Sequence, residues 1–513
     1  MLLTDHCSTA PAPGSSDVFA HGVASGDPEC DRVVIWTRVS GAPGRSTTVV
    51  WTVATDPELR QVVAAGAARA CATDDWTVHV DVIGLRPGTT YHYAFEALHE
   101  RSPVGRTRTL AGLDAARVRL AFVSCAKRNA GFFNAYARIA ERDDMDVVVH
   151  LGDYIYEASN TPPAGQTPGA DIGRPFEPDH ECRSLADYRA RYAQYRRDPD
   201  LQALHAAHPV IATLDDHELA DGAWRDGADH HDAVRDGSWA DRRAAALRAR
   251  WEWLPARRPH PGDDERVYRS VRVGTLAELF LLDVRSRRDR PVAGEAAAAP
   301  ERSALGSEQR AWLLEGLAET PAVWRLIGSP MPFVRTWRPG LDARLHRTMR
   351  ALKLMHARED AVDEDQWDGY PAERSAIMRA IHGAGAGRAL ILAGDLHVSL
   401  AVEHRHPDQP DEAVVVEVVT PSVTSQNLDE KLRTAPRGEA LELELELTAA
   451  LPDVRWCELE SHGYGVLDLD AERAVVQWWY VDTVLRPSTG ERMGHEVVVP
   501  IGTARVAQLE LAR

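Results

Sequence analysis

Apolar and polar positions alternate in a telling way between residues 118 and 157. An apolar run of strand length covers 118–124, apolar residues recur at helical spacing over 131–141, and a second strand-like run over 146–151 ends in Gly152-Asp153. This predicts strand, helix, strand. Such a crossover is right-handed and leaves its two strands parallel, so the residues just past each strand emerge side by side at one sheet edge. Those residues are Cys125 and Asp153, with Tyr156 one turn further on. The pattern recurs twice: an apolar run at 209–214 is followed by Asp215, Asp216, His217 and Glu218, and one at 389–393 by Gly394, Asp395, Leu396 and His397.

Elsewhere the pattern separates two textures. Residues 1–17 are polar and read as a loose arm, whereas 32–39, 47–54, 77–82 and 90–96 are short alternating runs between Gly, Pro and Asp turns, which predict a β-sandwich over 18–110. Gly22 to Pro28 could form an anion-binding loop, but no lysine or helix follows it at the required place, so a turn entering the sandwich is the better reading. Helices are predicted over 185–196, 240–253, 307–319 and 372–382, a hairpin over 268–273 and 276–282, and strands over 322–327, 414–419, 464–469 and 474–480. Trp251 and Trp253 are two apart and cannot share a helix face, so one of them is expected at a pocket wall or lid. The polar stretches 158–181, 221–239 (with His230 and His231) and 337–369 read as loops and peripheral elements around a pocket mouth.

Composition narrows the function classes. The 513 residues carry 59 basic and 77 acidic side chains, a net charge of −18, which argues against a nucleic-acid-binding surface. Tyr188, Tyr192 and Tyr195, interleaved with arginines, are therefore assigned to the buried side of their helix. No apolar run approaches the length of a membrane span. The six cysteines form no CxxC pair, and the first twenty residues lack the basic start and apolar core of an export signal; the expectation is a cytoplasmic protein, or a secreted one if a leader is missing from this chain. Among the basic residues only Lys127, Lys353 and Lys431 are lysine.

Taken singly, Cys125 could be a small buried hydrophobe, Asp153 a cap and Tyr156 a core-edge residue. Four strand ends each bearing Asp, His or Cys point instead to a metal centre. The ordered set Ser124-Cys125, Gly152-Asp153-Tyr154-Ile155-Tyr156-Glu157, Asp215-Asp216-His217-Glu218 and Gly394-Asp395-Leu396-His397 resembles the PhoD-like alkaline phosphatases, a branch of the calcineurin-like metallophosphoesterases.

The resemblance implies an N-terminal immunoglobulin- or fibronectin-like β-sandwich followed by a four-layer αββα catalytic domain over 115–513. It further implies hydrolysis of phosphate esters, small or carried on lipids and polymers, by metal-activated water at a binuclear Fe3+ and Ca2+ centre. Asp153 would bridge the ions, Cys125 and Tyr156 would bind the ferric one, and Asp216, Asp395 and His397 the second. His217 would serve as proton donor, with Asp215 and Glu218 orienting it; Asn160 is a candidate further ligand, and Arg257 and Arg285 are candidate phosphate-binding or supporting residues. Leu214 stands where the family usually has tryptophan, a change of packing more than of chemistry. The competing readings are a phospholipase D-like diesterase of phospholipids or teichoic-acid-like polymers, and a non-catalytic β-sandwich binding protein with a residual metal site.

Overall fold

The computed structural model describes residues 17–507 except 43, 162–170, 260–261, 293, 336–364 and 433–437. The predicted N-terminal arm and most of the 337–369 stretch lie outside the described residues.

The predicted crossover forms: strand Arg117–Val123, helix Asn134–Ala140 and strand Val147–His150, with Val149 opposite Phe122 in parallel register. Val147–His150 is buried along its whole length, as a near-continuous apolar run in a parallel sheet should be. Pro209–Ala212 pairs parallel on its other side, and Gly463–Asp470, Arg473–Val481 and Glu491–Pro500 add antiparallel strands beyond Arg117–Val123. A seven-stranded sheet is built around Ala277–Leu281, Trp324–Ser329, Ala389–Ala393 and Ala413–Val419, all parallel to their neighbours in that series. Phe122, Val149 and Leu467 of the first sheet meet Leu326, Leu390 and Val416 of the second in one apolar core. Helices Leu185–Arg196 and Trp239–Trp253 cover the outer face of the first sheet, and Gly306–Glu319 and Pro371–Gly383 that of the second.

The stretch 18–110, read above as a sandwich, does form strands, and they are divided between two sheets. Its strands Val23–Gly26, Arg32–Arg38 and Thr77–Ile83 belong to the large sheet, which thereby reaches nine strands; Ser25 pairs with Pro209 and Gly26 with Val210. The remaining strands form a five-stranded sheet, and Val33 and Ile35 pack against Val49, Tyr93 and Phe95 between the two. The Tyr91 hydroxyl accepts the Arg86 N–H at 2.8 Å and so ties down the turn that precedes its strand. The Gly22 to Pro28 stretch is accordingly a strand and turn at this seam, with the Asp27 carboxylate bound to Arg269 at 2.6 Å. A Cβ on Gly26 would overlap the carbonyl oxygens of Pro255 and Val210. Gly26→Ala is therefore expected to cost about 2 kcal/mol in a urea melt, in line with overpacked cores; an unchanged midpoint would show that the seam yields.

Two expectations about helices resolve differently. Leu185–Arg196 forms over the predicted residues behind a Ser184/Asp187 capping box, with Tyr188, Tyr192 and Tyr195 all buried. Among the described residues Trp251 and Trp253 are both core residues, where one was expected at a pocket wall or lid. Trp251 donates to the Asp264 carbonyl at 2.7 Å, and Trp253 packs against His21 and Trp36 under the N-terminal strands. Both faces of the helix end are buried because one side meets the sheet and the other meets the loop at 264.

Candidate metal centre

The strand ends converge where the two sheets approach each other: Ser124 bridges to Ser422, and Val423 donates to the Ser124 carbonyl at 3.0 Å. Cys125, Asp153, Asp395 and His397 all have left-handed backbones, with φ of 61°, 55°, 63° and 62°. Each such non-glycine residue costs about 1–3 kcal/mol, and strain of this kind gathers at functional sites. The Cys125 turn is tied to the Asp153 turn by Cys125 N–H to the Gly152 carbonyl at 3.3 Å and Ala126 N–H to the Asp153 carbonyl at 2.9 Å.

Two ligand groups result. Donor atoms of Cys125, Asp153 and His397 lie within 4.8 Å of one another, and so do those of Asp153, Asp216 and His217. Asp153 belongs to both. In these groups His397 falls with Cys125 and His217 with Asp216, whereas the resemblance implied His397 for the second ion and His217 as a proton donor. The Tyr156 hydroxyl donates to Asp153 Oδ2 at 2.7 Å and accepts from Ser425 at 2.6 Å. Asp395 stands at the edge of the cluster, receiving Gln366 Nε2 at 2.5 Å and facing Arg285 at 3.5 Å.

Supporting contacts set the shape. The Glu218 carboxylate accepts the backbone N–H groups of Asp153, Tyr154 and Asp215 at 2.9, 2.5 and 2.7 Å, stitching two strand-end turns together. Arg285, fully buried, pairs with Asp215 and, at 2.9 Å, with Asp365. Glu157 holds His217 Nδ1 at 2.7 Å while accepting the Asp221 N–H at 2.7 Å, which fixes the imidazole with Nε2 directed elsewhere. His397 is fixed likewise, Nδ1 to the Gln426 carbonyl at 2.9 Å. Arg191 gathers the carbonyls of Tyr156, Ala158 and Pro178 and so anchors the loop that leaves the site.

Two predicted residues do not join. Asn160 is spent on Phe176, accepting its N–H at 2.6 Å and donating to its carbonyl at 3.0 Å, so it pins the loop. Arg257 forks onto Asp81, with contacts at 3.0 and 2.9 Å, and reaches Glu29, which places it on the N-terminal strands. Its position in sequence beside Arg258 carried no signal of this.

The electrostatics suit cations. Asp153, Glu157, Asp215, Asp216, Glu218 and Asp395 are all 4% exposed or less. Burial, with Asp216 and Asp395 adding to it against His217, pushes Asp153 up to about 7, and burial with the Asp153 charge pushes Glu218 up to about 8. Burial alone would pull His217 down, yet Glu157, Asp153 and Asp216 hold it well above the usual imidazole range. Burial, then Asp153 and Asp395, push the Cys125 thiol well up, so a neighbouring cation is what would stabilise its thiolate. Asp215 Oδ2 is buried with no hydrogen-bond partner. A negative excess of this size away from water fits metal ions, and carboxylate, imidazole, thiol and phenol are all ligand types that hold them.

Glu157, Gln366 and Arg191 escaped the sequence reading as supporting residues. Glu157 alone had a local signal, since it closes the Gly152 to Glu157 motif.

Strand ends of an α/β sheet are where such a fold presents its chemistry, and known proteins resemble this chain in sequence and in fold. The family model for PhoD-like phosphatase matches residues 120–478, and that for the N-terminal domain of PhoD-like phosphatases matches 6–111. The chain belongs to the PhoD-like phosphatase family. Alkaline phosphatase D of Bacillus subtilis (strain 168) is 35% identical over 407 residues, a match spanning 75% of this chain and 66% of that relative. A solved structure of PhoD is 28% identical and superposes with a TM-score of 0.84, covering 98% of this chain and 94% of that one.

Proposed function

We propose that the protein hydrolyses phosphate esters at a centre of two cations that share Asp153, with Fe3+ held by Cys125 and Tyr156 and Ca2+ on the Asp216 side. The observation that carries this reading is the membership of Asp153 in both ligand groups, in a chain 35% identical to an alkaline phosphatase. Bound cations would supply a nucleophile at neutral pH and neutralise phosphoryl oxygens. A thiolate beside a phenolate favours a polarising trivalent ion on that side, and carboxylates favour a hard divalent ion on the other.

The chain's own residues do the rest. His217, oriented by Glu157 and kept protonated, hands its Nε2 proton to the departing ester oxygen. Glu218 and Arg285 hold the carboxylates at fixed separations, so the site does not reorganise as charge develops. The helical tyrosines and Arg191 keep the Tyr156 loop in place.

Activity on p-nitrophenyl phosphate should be lost on chelation and restored by ferric and calcium ions together; a full rate after exhaustive chelation would overturn the reading. Colour tests the iron assignment separately. A phenolate on Fe3+ has a visible charge-transfer band, whereas neither Ca2+ nor d10 Zn2+ can give one. The iron-loaded protein should be violet to brown, and Tyr156→Phe should bleach or shift the band. An identical spectrum for the variant at equal iron content would reduce Tyr156 to a packing residue.

A further inference from the structure

Beside the centre, the loop that leaves Tyr156 and the stretch that follows His217 enclose a cleft of about 520 Å3, with Ser159 and Thr161 on one wall and Asp229 to Asp232 on the other. That volume is within the range of small-ligand sites, about 300–1,000 Å3. Every residue lining the cleft is polar. Its wall is joined to the ligand groups at two points. The Gly222 N–H donates to Asp216 Oδ2 at 2.8 Å, and the Asp229 side chain packs on Gly222 so closely that a Cβ there would lie 2.7 Å from Asp229 Oδ2. His230 Nδ1 is 3.4 Å from Asp221 Oδ2, and the Asp221 N–H donates to Glu157, the residue that orients His217. The cleft therefore borders the Asp216 and His217 side of the centre.

Most of the charged side chains in the wall are already paired. Arg183 and Arg235 both turn to Asp236, at 2.8 and 2.7 Å, Glu181 is bound to Arg242 at 2.7 Å, and His180 lies between Asp179 and Asp187. Asp232 spends Oδ1 on the Val234 N–H at 2.8 Å. Asp229 is the exception: exposed to the cleft, its carboxylate makes no hydrogen bond or ion pair among the described residues. Partial burial, then the Asp365 charge, raises its pKa above the usual carboxylate range, so a hydrogen-bond donor placed against it relieves an unfavourable charge.

With His217 protonating the departing oxygen, the alcohol half of the ester leaves on the side that the cleft borders. We propose that the cleft receives this alcohol and that Asp229 accepts a hydrogen bond from a hydroxyl or ammonium group it carries, which selects phosphate esters of polar alcohols over those of plain alkyl chains. This rests on the proposed function, because it requires a phosphoryl group to occupy the centre. The alternative is that the cleft holds only water and Asp229 is a solvated surface carboxylate.

The test uses the metal-loaded full chain at equal metal content and two readouts. In the first, kcat/KM is compared for glycerol 1-phosphate, phosphoethanolamine and n-propyl phosphate, the last matching glycerol 1-phosphate in length without its hydroxyls. Wild type should favour at least one of the donor-bearing esters over n-propyl phosphate by about fivefold, and Asp229→Ala should bring that ratio close to one. Asp229→Asn keeps an acceptor and drops the charge, so it should preserve a preference that rests on hydroxyls and abolish one that rests on the ammonium. In the second, calorimetry with the methylene phosphonate analogues of the same esters, which are not hydrolysed, should give the same order of affinity in wild type and lose it in Asp229→Ala. A wild type that does not distinguish the esters, or a preference that survives Asp229→Ala, would overturn the inference while leaving the phosphatase reading intact. A metal-loaded wild type that hydrolyses none of the esters and binds none of the analogues would overturn both readings.

Discussion

Asp153→Ala is expected to lose both cations together and to retain less than about a tenth of the hydrolytic rate. Its carboxylate is the shared member of the two ligand groups found among the described residues, so its loss takes a donor from both sides at once. The backbone at this position is left-handed, with φ of 55°, which alanine tolerates less well than aspartate. Asp153→Asn is therefore the cleaner variant, since it keeps the turn and removes only the charge. Elemental analysis of both variants after dialysis, alongside activity on p-nitrophenyl phosphate, gives the answer. Retention of two ions per chain by Asp153→Asn would show that the two groups are filled independently.

The second large effect is on stability. Arg285 is fully buried and faces Asp215, Asp365 and Asp395. Burial opposes its charge, but those carboxylates and Asp216 outweigh the penalty and hold the guanidinium firmly protonated. Removing one partner from a buried ionic network leaves the others unopposed and costs about 3–5 kcal/mol. Arg285→Ala should show a loss of that size in urea unfolding of the metal-free protein. Arg285→Lys should recover less than half of it, because a point charge cannot reach three carboxylates as a planar fork does. A loss under about 1 kcal/mol for Arg285→Ala would mean that the network relaxes around the gap.

What the chain disclosed about itself followed the strength of its periodicity. The crossover at 118–151 and the helix Leu185–Arg196 were legible because period and caps agreed. Val62–Cys71 is an edge strand built largely of alanine on both of its faces, too weak an apolar contrast to announce itself. The seam between the sandwich and the large sheet was invisible for another reason. Gly26 and Val210 are register partners 184 residues apart, and backbone pairing at that separation leaves no local trace. Within the site, the ligand types were readable from strand ends, but their partition was not: His397 stands with Cys125 because the turns at 394–397 and 422–426 fold over the Cys125 loop. Asn160 and Arg257 show the converse. Residue type and proximity in sequence recommended them, and hydrogen bonds to Phe176 and Asp81 had already claimed them.

The central claim is that one carboxylate joins two cations in a site that binds a phosphoryl group. Anomalous diffraction from crystals of the metal-loaded protein soaked in inorganic phosphate, recorded at and below the iron edge, tests it most directly. The account predicts two cations, each in contact with a different oxygen of Asp153, iron on the Cys125 and Tyr156 side, and a phosphate between them and His217. A single cation, or two cations that do not share Asp153, would contradict it.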